Sequence, residues 1–287
     1  ANTVQYFADD EYTFANLECT FSDRSLSPVG YPTFYFRAPT SYVNILLEGG
    51  VDFVTTANNH LSDFGDKGVE DTYATLDNAG LPYGKVGQAQ VVTTKNGIKI
   101  GVYCGFNIND GYFVPTTDEC VNAINQMKAD GAEYIVMAFH WGKELYYKPT
   151  QKMIDLAQAC IDAGADLIYG THPHVLGPVV EYNGGIIMYS VGNWSFGGNT
   201  QPTDQDTAII QVTIKRDIDG TITTEGYDAI PCCVSSNMSG GVGYNDYKPT
   251  PYPEDNEGYK RVLSKLDMNS GWENANKDYS AWYSAWG

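Results

Sequence analysis

Short apolar runs alternate with helical patterns through the first two-thirds of the chain, and this alternation restricts the fold more than any other feature. Tyr12–Leu17 reads as a strand, Ser41–Glu48 as a helix closed by Gly49-Gly50, and Val51–Ala57 as a β-branched strand. Asp66–Ala79 reads as a helix with Gly80 as its C-cap. Val91–Lys95 and Ile98–Cys104 flank Asn96-Gly97, a tight hairpin signal. Thr117–Ala129 has helical spacing, and Tyr134–Phe139 is an uninterrupted apolar strand. Pro149 is expected to open the next helix, with Gly164 after its end. Asp166–Gly170 and Gly185–Val191 read as further strands. Strands separated by helices of this length form βαβ units, so an α/β fold with a largely parallel sheet covered on both faces is expected. From Thr207 to Ile230 the pattern changes to a hairpin, Ala208–Ile214 and Thr221–Tyr227 around Asp219-Gly220. Beyond Pro231 the chain turns to Gly, Pro, Asn and Tyr, with loops at Ser235–Gly243 and Lys248–Pro253 and one short helix, Glu257–Leu266. The division expected is a main domain over 1–230 and a loop-rich C-terminal extension over 231–287. The extension ends in an aromatic repeat, Tyr279–Trp282 and Tyr283–Trp286, read as a docked terminal segment or as an aromatic surface for a glycan or partner.

Charge narrows the partners. The 287 residues carry a formal net charge of −18 and no Lys/Arg cluster, a field that repels nucleic acid and anionic membrane. No apolar run reaches the length of a bilayer span. Ala1-Asn2-Thr3-Val4 is neither an initiator Met nor a signal peptide, so the chain is expected to start after a segment that precedes it. The six cysteines lack metal-knuckle spacing, and Cys104 and Cys160 sit in apolar runs as expected buried thiols.

The chemistry concentrates in four histidines, His60, His140, His172 and His174. Each follows an expected strand in a polar turn: Ala57-Asn58-Asn59-His60, Phe139-His140-Trp141-Gly142 and Thr171-His172-Pro173-His174. Loops at strand C-termini converge on one edge of a parallel sheet, where ligands bind. An H-x-H pair in extended backbone would turn both rings to one side and suit one metal or two adjacent ones. Imidazole with carboxylate or amide oxygen fits zinc, manganese or iron. Asn16-Leu17-Glu18 ends the first strand and adds a carboxylate.

Together these segments resemble the poly-γ-glutamate capsule-biosynthesis family (CapA/PgsA-like, PGA-cap). The matching residues are Asn16-Leu17-Glu18; Ala57-Asn58-Asn59-His60 with Asp63 and Gly65; Phe139-His140-Trp141-Gly142 with Glu144; Gly170-Thr171-His172-Pro173-His174; and Ser190-Val191-Gly192-Asn193-Trp194. That family is similar to the calcineurin-like metallophosphatases, which implies a four-layer α/β/β/α sandwich with mixed sheets and a site for one or two divalent ions (Zn, Mn or Fe). The resemblance implies Glu18, Asn59, His140, His172 and His174 as metal ligands and His60 as the acid or base at the leaving group. Metallophosphatases begin with a strand ending in Gly-Asp, and no such strand precedes Glu18 here. The expectation is that this segment precedes the chain, or that one metal position lacks ligands.

Around that set, Glu144 is a second catalytic candidate and Asp63 a residue behind the ligands. Arg37 is a candidate grip for a carboxylate or phosphate, with an exposed surface role as the alternative. Trp141 and Asn193 are candidate substrate contacts, and Asn193 also a residue that orients a ligating histidine. The resemblance implies a secreted or cell-surface protein working on poly-γ-glutamate or another anionic polymer, with capsule-synthesis membrane proteins as possible partners and no nucleic acid. Two activities are consistent with it: a metal-dependent hydrolase of amide or phosphoester bonds, or a non-catalytic polymer-binding or assembly component.

Overall fold

A computed structural model describes residues 2–30, 34–108, 115–197, 199–239 and 244–272. The described residues fall into two compact units, one drawn mainly from Val4–Asn107 and Tyr112–His140, the other mainly from Trp141 onward.

The first unit begins with a one-turn helix α1 (Val4–Phe7) and strand β1 (Phe14–Asn16). Strands β2 (Thr20–Phe21) and β3 (Arg37–Ala38) pair in parallel, and helix α2 (Val43–Glu48) follows a 3-10 turn. Strand β4 (Phe53–Thr55) lies parallel to β1, with Phe14 opposite Phe53 and Asn16 opposite Thr55. Helix α3 (Gly65–Ala79) ends at Gly80, whose φ of 65° is the left-handed C-cap conformation that glycine adopts without penalty. Strand β5 (Tyr83–Gly84) adds in parallel to β4. Strands β6 (Ala89–Thr93) and β7 (Lys99–Ile108) form the hairpin expected at Asn96-Gly97. Helix α4 (Thr117–Ala129) has the bounds its sequence predicts. Its start is fixed by a capping box in which the Thr116 hydroxyl accepts the Glu119 N–H and Glu119 accepts the Thr116 N–H, an arrangement that stabilises by about 1 kcal/mol. Strand β8 (Tyr134–Gly142) is buried through Trp141. It runs three residues past its expected end at Phe139, so His140 lies within the strand rather than after it. The hydrophobic interior here gathers Leu17, Phe21, Val54, Leu76 and Leu81.

The second unit opens with helix α5 (Gln151–Asp162), capped by the Thr150 hydroxyl on the Met153 N–H, with Pro149 just before the cap. Strand β9 (Leu167–Thr171) is parallel to β11 (Gly185–Met188), which pairs antiparallel with β10 (Val179–Tyr182). Strands β12 (Asp206–Arg216) and β13 (Ile222–Cys233) form a long hairpin with a register shift at Thr213/Ile214. The segment Lys248–Pro253, expected as loop, contains a short strand β14 (Thr250–Pro251) that pairs with Cys232 and Cys233. Helix α6 (Glu257–Leu266) packs on β13 and β12. The aromatic repeat at 279–286 lies outside the described residues.

All six cysteines are free thiols, and five are buried. Burial pushes the Cys104 thiol up to about 12.

Candidate metal centre

In the first unit the loop after β1 and the loop after β4 are tied into one hydrogen-bonded network. The Asn16 amide donates to Glu18 Oε2 at 2.8 Å, and Asn16 Oδ1 accepts from Thr55 Oγ1 at 3.1 Å and Asn58 Nδ2 at 3.2 Å. Asn58, 7 % exposed, also donates to the Leu17 carbonyl at 2.8 Å. Glu18 and the Asn58–His60 turn are therefore held by the same side chains. His140 enters from β8, with Nε2 at 2.7 Å from Asn59 Oδ1 and 3.6 Å from Glu18 Oε1. An ion with bonds near 2.1 Å sets its ligand atoms about 3.4 Å apart if tetrahedral and about 3.0 Å apart if octahedral. The separations observed bracket those values, and a nitrogen, an amide oxygen and a carboxylate oxygen make a suitable donor set for a divalent ion. Local charge agrees: the Cys19 thiol is pushed up to about 12, first by burial and then by the carboxylates of Glu18 and Asp63.

His60 turns to a different partner. Its Nδ1 lies 2.9 Å from Asp63 Oδ2, which also accepts the Phe36 N–H at 2.6 Å, and its ring packs on Phe36 at 4.4 Å. Asp63 accepts in both contacts, so Nδ1 carries the proton. Arg37 is on the exposed strand β3. Its guanidinium donates to the Arg24 carbonyl at 2.9 Å and sits over the Phe64 ring at 5.0 Å.

In the second unit, His172 and His174 stand in the turn after β9. Their φ angles are 99° and 57°, so the H-P-H segment is a left-handed turn and not the extended backbone expected from the sequence. The rings stand 6.0 Å apart at 55°. A residue before proline ordinarily takes extended backbone, so Pro173 works against the departure at His172, which its surroundings must hold. Gly170, two residues earlier, must be glycine, because a Cβ there would run into the carbonyl oxygens of Tyr189 and Met188. Asn193 grips His174 at two points: its Nδ2 donates to the His174 carbonyl at 3.2 Å and its Oδ1 meets Nδ1 at 2.8 Å. The first contact fixes the amide orientation. The second then requires a proton on Nδ1, which leaves the Nε2 lone pair for a metal. Glu144 is half-buried in the turn after β8. Trp141 is 1 % exposed, and its indole N–H donates to the Tyr189 carbonyl at 2.9 Å, so it forms part of the core.

The sequence does not reveal that Asn16, Thr55 and Asn58 tie Glu18 to the Asn58–His60 turn. The Asn-Asn-His and Asn-Leu-Glu triplets were visible, but nothing local says which amide meets which partner.

The PGA biosynthesis protein CapA of Bacillus subtilis (strain 168) is 26 % identical over 293 aligned positions, 93 % of this chain and 71 % of that protein. The capsule biosynthesis protein CapA of Bacillus anthracis is 29 % identical over 232 positions, 73 % of this chain and 56 % of that relative. A crystal structure of a phosphatase from Mycoplasma pneumoniae matches with a TM-score of 0.50 at 16 % identity, covering 80 % of this chain and 84 % of that one. The fold is the mixed α/β, metallophosphatase type. The family model described as bacterial capsule synthesis protein PGA_cap matches residues 1–197, and the chain belongs to that family.

Proposed function

We propose that this chain is a metal-dependent hydrolase of a capsule-synthesis system, acting on amide bonds of poly-γ-glutamate or a related anionic polymer at the cell surface. The observation that carries the proposal is the convergence of Glu18, Asn59 and His140 donor atoms, with separations of 2.7 and 3.6 Å, in the unit that also holds the His60–Asp63 pair. Glu18, Asn59 and His140 would hold one divalent ion. His172 and His174, both in the turn after β9, are further candidate ligands. A bound divalent ion supplies Lewis acidity toward a carbonyl or phosphoryl oxygen and lowers the pKa of water bound to it. His60 hands a proton to the leaving group from Nε2, while Asp63 keeps the ring in the orientation and tautomer that this transfer needs. A polyanionic substrate meets a chain of net charge −18, so the ion and Arg37 supply the positive potential it requires.

The test is elemental analysis of the purified protein, followed by assay on γ-glutamyl polymer and phosphoester substrates with and without chelator. Metal that is lost in Asn59→Ala and His140→Ala, with chelator-sensitive release of γ-glutamyl ends, supports the hydrolase. A protein that binds polymer without turning it over is a non-catalytic component of the same system. Absence of metal uptake overturns the proposal.

A further inference from the structure

The second unit contains a buried charge network with no part in the chemistry above. Lys265 on α6 is 3 % exposed, and its ammonium donates to both oxygens of Asp204 at 2.7 Å and to Asp206 at 2.6 Å. Arg261 binds Asp206 through two contacts of 2.6 and 2.7 Å. Two carboxylates thus face two cations. Such a cluster adds little net stability over well-packed apolar residues, so what it provides is direction.

One direction leads to the histidine turn. The Tyr147 hydroxyl donates to Asp204 Oδ2 at 2.8 Å, and Lys265 Nζ lies over the rings of Tyr147 at 5.3 Å and Trp272 at 4.9 Å. Burial and the Asp204 carboxylate hold the Tyr147 phenol well above its ordinary range, so it remains a donor. Two residues earlier, Leu145 adopts φ 61° and donates its N–H to the Pro173 carbonyl at 2.7 Å. Leu145, Tyr147 and Val175 form one buried cluster, with Trp272 packed against it. Pro173 sits between His172 and His174 and has no N–H of its own, so its carbonyl is its only backbone hydrogen-bonding group. Left-handed conformations at two non-glycine residues persist only where the surroundings over-determine them.

We infer that Tyr147, anchored by Asp204 and Lys265, is a positioning residue that holds the His172–His174 turn in its ligating conformation. Helix α6 therefore supports the His172–His174 turn within its own unit. This rests on His172 and His174 being metal ligands, as proposed above.

The experiment uses the full chain with Co²⁺ as the probe, comparing wild type, Tyr147→Phe, Tyr252→Phe and His172→Ala. The Tyr252 hydroxyl donates to Asp206 at 3.0 Å in the same cluster and provides the control, since it meets Asp206 and not Asp204, the carboxylate that anchors Tyr147. Tyr147→Phe is expected to raise the Co²⁺ dissociation constant on the order of tenfold, as loss of an outer support of a ligand does, and to alter the visible absorption of the bound ion. It is also expected to speed amide exchange at Leu145 in metal-free protein. Tyr252→Phe is expected to lower thermal stability to a similar degree and to leave all three readouts unchanged. Equal effects of the two variants, or no change at Leu145, overturn the inference. If wild type takes up no Co²⁺ that His172→Ala abolishes, the ligand assignment fails, and Leu145 exchange still decides whether Tyr147 holds the turn.

Discussion

Replacing Lys265 by alanine removes the ammonium that faces two buried carboxylates, and the structure sets the size of the effect. Asp206 keeps its two contacts with Arg261, so it stays compensated. Asp204 keeps the Tyr147 hydroxyl and the Asp206 N–H at 3.0 Å, both neutral donors, around a side chain that is 5 % exposed. Breaking a buried ion pair in this way costs about 3–5 kcal/mol. The stranded carboxylate has one escape, which is to take up a proton. For an ordinary aspartate that uptake costs about 4 kcal/mol at pH 7, so it caps the loss near that figure. The cap falls by about 1.4 kcal/mol for each pH unit, to roughly 1.5 kcal/mol at pH 5. A carboxyl that gains its proton on folding loses stability as pH rises above the unfolded value, so the deficit of the variant must grow between pH 5 and pH 7. Urea unfolding of Lys265→Ala against wild type at both pH values measures it. A deficit below about 1 kcal/mol at pH 7, or one that does not change with pH, would show that Lys265 does not compensate a buried charge. The double variant Asp204→Asn/Lys265→Met removes both partners and is expected to recover most of the loss.

Further outcomes follow from the same geometry. Asp63→Asn leaves the shape around His60 intact but disturbs its tautomer; turnover is expected to fall on the order of a hundredfold with metal content unchanged, checked by elemental analysis beside the rate. Gly170→Ala forces a methyl group into the Tyr189 and Met188 carbonyls and is expected to destabilise the protein by more than about 2 kcal/mol in the same urea assay, because the obstacle is backbone. Burial raises the Asp206 carboxyl, but hydrogen bonds and charge from Arg261 and Lys265 outweigh it and hold the group below the ordinary range. Its contribution is therefore full above about pH 4, where the unfolded aspartate is ionised, and is lost as pH falls through the lower folded value. Arg261→Ala is expected to move the acid-unfolding midpoint upward, read by circular dichroism.

The elements with strong local signals were legible from sequence. Thr116 and Glu119 are neighbours on the chain, and α4 begins where they dictate. The hairpins at Asn96-Gly97 and Asp219-Gly220 follow from residues that accept positive φ, and both glycines have it. The ends of β8 and the shape of the H-P-H turn were not legible. Trp141 extends β8 because its ring finds the Tyr189 carbonyl and ring, 48 positions away in sequence. The turn is gripped by Leu145 at the Pro173 carbonyl and by Asn193 at His174, contacts that no period of apolar residues reports. Lys265 illustrates the same limit. In its helix it reads as one more surface lysine, and only the fold reveals the two aspartates around its ammonium.

The thiols have a use as well as a place. Cys19, Cys104 and Cys120 belong to one compact unit, and Cys160, Cys232 and Cys233 to the other. A buried thiol reacts with an alkylating reagent only during the moments when its surroundings open. Each unit thus carries its own set of clocks, and mass spectrometry of a single labelling time course would time the opening of the two units separately, with no residue changed.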